Sequence, residues 1–176
     1  MKHPLNTFFV ACFLQIAMAC HSGPSPLLPE THEIEGAATE VKAISQSKSH
    51  FRKRNFDLVT GTDQGGRMEA YLDERGIRII ELHIGLSNRV VSISYVFRDS
   101  ILIYYAERET RFLVDLDANV DQSMASVGKR FSCYFLGDVG VSDNQNFAHI
   151  TSDAKFFREA ALRSEDTLDI EERIKG

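Results

Sequence analysis

The stretch GRMEAYLDERGIRIIELHIGLSNRVVSISYVFRDSILIYYAERE, residues 66–109, decides the fold. Its apolar residues recur with a period of two, the pattern of half-buried strands. Met68, Ala70 and Leu72 alternate with Arg67, Glu69 and Tyr71. Asp73-Glu74-Arg75-Gly76 then supplies turn residues, and Ile80, Leu82 and Ile84 share a face opposite Glu81 and His83. Ser87-Asn88-Arg89 marks a second turn, after which Val91, Ile93, Tyr95 and Phe97 alternate with Ser92, Ser94 and Arg98. Arg98-Asp99-Ser100 turns again into a fourth strand, Ile101 to Glu109. Four strands at near-regular spacing with tight turns predict an antiparallel meander with one apolar face in need of cover.

Upstream, the period changes to three and four. Ala37, Val41, Ile44, Lys48 and Phe51 predict a helix over 37–53, with Arg52, Lys53 and Arg54 in its last turn beside the negative end of the helix dipole. This helix is the expected cover for the sheet. Downstream, Phe112 to Leu116 and Arg130 to Leu136 read as further strands, and Ala118 to Ser126 and Gly137 to Asn146 as loops. Ser152 or Asp153 is positioned to cap a helix from Ala154 to about Arg163, ahead of a charged tail from Ser164 that reads as frayed or as a second helix. The expected class is α+β: an N-terminal helix packed on an antiparallel meander sheet of four to six strands, with a C-terminal helix. Residues 94–99 and 132–138 echo one another, either as a repeat or as two chance aromatic strand ends.

The chain of 176 residues suits one such domain. A formal net charge of −5 speaks against general nucleic-acid binding. Residues 1–19 are read apart from the fold. Lys2 precedes the run Phe8 to Ala19, whose one polar residue is Gln15. Such a run is too short to span a bilayer as a helix and has the length of a secretory signal core. Ala17-Met18-Ala19-Cys20 resembles the bacterial lipobox, in which small residues precede an obligatory cysteine. The resemblance implies cleavage before Cys20, diacylglycerol on its thiol and a fatty acyl chain such as palmitate on its amine. Two or more chains are what lasting membrane attachment needs. A plain secretory signal cleaved near Ala19 is the alternative. By analogy with enteric bacteria, His21 in place of Asp directs such a lipoprotein to the outer rather than the inner membrane of a Gram-negative cell.

Residues 20–35 hold three of the four prolines and read as a semi-rigid tether, leaving 36–176 as the folded domain. Of the three cysteines, Cys12 leaves with the signal and Cys20 carries lipid. Cys133 therefore has no intrachain partner, and its apolar setting reads as core.

Residues 36–136 are similar to a group of small bacterial lipoproteins of Bacteroidetes type. The likeness rests on Gly66 to Asp73 and Ile77 to Leu82, against the pattern G-x-L-x-A-Y-x-D-x-x-G-x-L-x-K-I. It extends through Tyr95 to Leu102 and Ile103 to Glu109, departing at Ser100, where the family's turn has Gly. It implies location and fold and carries no activity.

The expected function is that of a lipid-anchored cell-envelope lipoprotein, a non-enzymatic binding module for a protein or an envelope polymer such as a glycan. Its partners are then the membrane, through the anchor, and that ligand. No cofactor is expected beyond the covalent acyl groups. Tyr71, Tyr104 and Tyr105 fall in strands, the last two on opposite faces. An open aromatic face would bind a partner, while ordinary cross-strand pairing explains the same residues. The alternative function is a small metal-binding or hydrolytic envelope domain built on Asp115, Asp117, Asn119 and Asp121. These alternate like the first ligands of an EF-hand loop, but Val120 stands where that loop needs Gly, and Ser126 where it needs a closing Glu. A solvated strand face or loop is the simpler explanation of the same pattern. Lys48, His50, Arg52, Lys53 and Arg54 form a basic cluster, read either as a contact for an anionic partner or as a solvated helix end. The six histidines show no zinc spacing, and His149, Ser152 and Asp153 are sequence neighbours better explained as helix capping than as a triad.

Overall fold

The computed structural model describes residues 31–62, 64–114, 120–137, 139–141, 147–163 and 166–171. The elements in chain order are α1 (Thr31–Gln46), β1 (Arg52–Val59), β2 (Gly66–Asp73), β3 (Gly76–Leu86), β4 (Arg89–Arg98), β5 (Ile101–Val114), β6 (Val120–Leu136), β7 (Val139–Val141), α2 (Ala148–Leu162) and β8 (Thr167–Asp169). The strands form one sheet of order β7-β6-β5-β4-β3-β2-β1-β8. Seven of them pair in sequence as antiparallel neighbours. β8 returns to lie parallel to β1, with Leu168 opposite Leu58. The α+β class with one N-terminal and one C-terminal helix is as expected. The sheet is larger than the four to six strands expected.

The central meander follows the alternation of the sequence. In β3, Ile80, Leu82 and Ile84 are buried with Met68 and Ala70 of β2 and Tyr95 and Phe97 of β4. Turn chemistry matches as well. The Asp73 carboxylate accepts the Arg75 N–H at 2.8 Å, and Gly76 takes φ +112°, a conformation that excludes most side chains. Arg98 pairs with Ile101, so Asp99 and Ser100 alone form the β4–β5 turn.

The helix expected over 37–53 ends earlier and begins earlier. Ala37, Val41 and Ile44 are buried as their spacing predicts, but the helix ends at Gln46. The chain passes through a short 3-10 turn, Lys48–His50, into β1. Arg52, Lys53 and Arg54 are therefore strand residues, because Phe56 and Leu58 bury with a period of two against β2.

Cover for the main apolar face comes from α2 rather than from the N-terminal helix. Ile150, Ala154, Phe157, Ala160 and Ala161 pack on it, and each large side chain fully buried there contributes about 1.5–3 kcal/mol. α1 lies on the opposite face, where Val41 and Ile44 meet Tyr71, Ile79, Val96 and Ile103. The expected start of α2 at Ser152–Asp153 is corrected to Ala148. Phe147 stacks on Phe131 and meets Phe135 edge-on, and Ile150 is buried, so the helix begins a turn upstream. Ser152 and Asp153 lie within it and do not cap it.

β5 and β6 are long strands where shorter ones and a loop were expected. Their pairing shifts between Arg108 and Thr110 and again between Phe112 and Leu113, which breaks the alternation. The tail, expected as a frayed or second helix, contributes β8 because Leu168 and Ile170 are apolar enough to bury.

Candidate functional site

The strand register sets the α1-side face of the sheet in rows that cross the strands. The row beneath α1 runs Tyr71, Ile79, Val96, Tyr104 and Tyr134 from β2 to β6. The next is polar: Asn55, Glu69, Glu81, Ser94, Ala106 and Ser132. The third is Arg67, His83, Ser92, Arg108 and Arg130, with Asp57 at its β1 end. α1 stops short of these two rows. Among the described residues, the apolar contacts of α1 fall on the first row and not on these two, whereas α2 packs on the other face.

Glu69 and Glu81 oppose one another across β2 and β3. Each is held by a lysine. Lys48 Nζ lies 2.6 Å from both Glu81 oxygens, and Lys53 Nζ lies 2.9 Å from Glu69 Oε1. The Tyr71 hydroxyl donates to Glu69 Oε2 at 2.6 Å, and the Arg67 guanidinium stands 3.7 Å from the same carboxylate. Burial pushes the Glu69 carboxyl up, but the hydrogen bonds from Tyr71 and Lys53 and the charges of Lys53 and Arg67 outweigh it and hold the group below its usual range. Burial and the bond to Glu69 push the Tyr71 phenol up to about 12. Lys48 sits 4.4 Å from the Tyr71 ring centroid, so one cation serves a carboxylate and a ring together.

In the third row His83 Nδ1 and Ser92 Oγ are 3.2 Å apart. A shallow hollow of about 210 Å³ opens above Ser92, Ser94 and Ala106, walled by Glu81, His83 and Arg108. Small side chains across β4 and β5 create it. Two other hollows flank α2. One of about 450 Å³ lies between α2 and the β4–β5 turn, with Phe97 and Leu102 at its floor and Lys155 and Arg158 at its rim. One of about 260 Å³ lies beside Tyr105, Glu107, Lys129 and His149. The Tyr105 hydroxyl donates to Glu107 at 2.8 Å, and burial together with that bond pushes its phenol up.

The tyrosines expected on a binding surface are placed inside. Tyr71 and Tyr105 are 7% and 5% exposed, on opposite faces. Tyr104 is half-buried and packs on Tyr134 with ring centroids 5.1 Å apart. Tyr104 and Tyr105 do face opposite ways. Much of the basic cluster is tied up within the fold: Lys48 and Lys53 as above, and Arg54 by donating to the Ala161 carbonyl at 2.9 Å, while His50 and Arg52 are exposed.

Cys133 is buried, and its thiol is pushed up to about 11 by burial, as suits a core residue. His149, Ser152 and Asp153 all belong to α2. Cys20 and the metal candidates Asp115, Asp117 and Asn119 lie outside the described residues, and Asp121 pairs in β6 opposite Leu113. Among the described residues no group of three or more His, Cys, Asp or Glu side chains is arranged to hold a metal ion, and no helix is long and apolar enough to cross a membrane.

The polar rows escaped sequence reasoning because their members come from five or six strands. Arg67, Glu69, Glu81, His83, Ser92 and Ser94 are each legible as polar positions of alternating strands, but not as neighbours. No known protein family, curated protein or solved structure matches the chain significantly.

Proposed function

We propose that the chain is a lipid-anchored module of the bacterial cell envelope, attached through Cys20, that binds a protein or envelope polymer without transforming it. The ligand lies on the uncovered polar rows of the sheet. One observation carries the binding part: among the described residues, α2 covers one face with an apolar core, whereas on the other face the apolar contacts of α1 stop at the first row and Ser92, Ser94, Arg108 and Arg130 are part-exposed or exposed. Such a face presents hydrogen-bonding groups over a broad, shallow area, which suits an extended partner better than an enclosed small molecule. The lipobox-like Ala17-Met18-Ala19-Cys20, the Pro-containing tether and the resemblance to Bacteroidetes-type lipoproteins support the anchor and the location.

Replacing Cys20 by Ser tests the anchor. The wild type takes up labelled palmitate and fractionates with membranes, and the variant does neither. A variant that still fractionates with membranes, beside a wild type that takes up no label, refutes the reading. A photo-crosslinker at Ser94 in the native envelope tests the face and is expected to capture a partner.

A further inference from the structure

The third row contains a like-charge pairing that, among the described residues, lacks the counter-charge such pairings have elsewhere in the fold. Arg108 and Arg130 stand directly opposite one another on β5 and β6. Like charges in that relation repel and destabilise a sheet. On the other face, Arg89 and Arg111 are also opposed, and there the fold supplies a carboxylate between them. Glu109 accepts from Arg111 Nε and stands 3.6 Å from Arg89 Nη1, and the Arg111 hydrogen bond holds its carboxyl below the usual range. No carboxylate among the described residues pairs with Arg108 or Arg130. Both are exposed, and both follow His83 and Ser92 in a row that starts at Arg67.

We infer that this row is a binding strip for an anionic polysaccharide, whose acidic groups supply the missing counter-charge between Arg108 and Arg130. The inference rests on the proposed use of the open face and names its ligand class. The row crosses five adjacent strands, a length of about 19 Å at the usual strand spacing. Guanidinium groups suit carboxylate, sulfate or phosphate because their fork donates two parallel hydrogen bonds. Ser92, Ser94 and His83 line the hollow beside Arg108, and these groups can both give and accept hydrogen bonds from sugar hydroxyls.

The neighbouring row argues against a flat anionic membrane as the occupant. The lysines beside it, Lys48 and Lys53, are held by Glu81 and Glu69, so they add no free positive charge next to the basic row, which stays a single line rather than a charged area. A single extended chain follows the basic row alone.

The test uses the mature full-length chain in neutral detergent and a fluorescent polygalacturonate oligomer, with its neutral methyl ester as control. The wild type is expected to bind the acidic oligomer, to release it with rising salt and to ignore the ester. Charge reversal by Arg108→Glu with Arg130→Glu weakens binding by about a hundredfold, roughly tenfold for each charge-assisted hydrogen-bonding arginine removed. Arg75→Glu, in the exposed β2–β3 turn, leaves binding unchanged. An equal weakening by Arg75→Glu overturns the inference, because net charge alone would then explain it. So do tighter binding to phosphatidylglycerol vesicles than to the oligomer, and absence of oligomer binding. If the Ser94 crosslinker still captures a protein in such a case, the open face remains a binding surface and only its ligand class is wrong. If it captures nothing, the reading of the face fails as well.

Discussion

Replacing Ser100 by Gly should stabilise the protein. Asp99 and Ser100 have φ of +46° and +77°, both in the left-handed region, in the two-residue turn that joins β4 to β5. Such turns match the twist of a hairpin but favour Gly at the second position. A non-glycine residue held there costs about 1–2 kcal/mol. Glycine removes that strain and adds unfolded-chain entropy worth about 0.4–1 kcal/mol against it. The net gain is about 0.5–1 kcal/mol. The surrounding bonds survive the change: Arg158 donates to the Ser100 backbone carbonyl, which glycine keeps, and Arg78 stands 3.6 Å from the Asp99 carboxylate, which is untouched. In a domain of this size the gain raises Tm by about 1–4 °C. Urea denaturation followed by circular dichroism should show a higher midpoint with an unchanged slope. Ser100→Val, with a β-branched side chain in the same conformation, should lower the midpoint. The reasoning is refuted if Ser100→Gly is no more stable than the wild type, or if Ser100→Val is as stable.

Other substitutions test the packing and the charge network. A Cβ at Gly140 of β7 would overlap the Phe147 ring, so Gly140→Ala should cost about 1–3 kcal/mol by thermal melting, and an unchanged Tm would refute that close approach. Glu69, held below its usual value of 4.5, contributes stability that is full above that pH and is lost as pH falls through its lowered value. Glu69→Gln should therefore flatten the acid limb of a plot of urea midpoint against pH, and superimposable plots would refute the role. Buried Cys133, its thiol pushed up to about 11, should resist a thiol reagent at pH 8 until the chain is unfolded; rapid labelling of the native protein at this residue would contradict its burial.

The meander was legible because residues 66–109 alternate through much of each strand and their turns carry Asp, Asn and Gly. β1 was hidden by a coincidence. Lys48 and Phe51 continue the helical spacing of Val41 and Ile44, and Arg52 to Arg54 resemble the basic end of a helix. Burial of Phe56 and Leu58 overrides that local signal, since tertiary packing decides between near-equal local preferences. The β5–β6 hairpin was obscured by its register shifts, each of which moves the alternation out of phase. Tyr71 and Tyr105 were rightly put in strands, but whether a strand face is open depends on where the helices settle. The polar rows depend on register as well: Arg108 and Arg130 become neighbours only when β5 and β6 pair.

The parallel pairing of β8 with β1 has a kinetic consequence. It closes one margin of the sheet with residues distant in sequence, so it is among the last pairings the folding chain can form. Until Leu168 docks beside Leu58, β1 presents a row of unsatisfied amides and carbonyls. Such a row is a template for a strand from another molecule. During folding, the interval before residues 167–169 arrive is when the chain is most prone to aggregate. The three-residue strand then caps the Asp57–Val59 end of β1 and leaves only a very short edge beyond it.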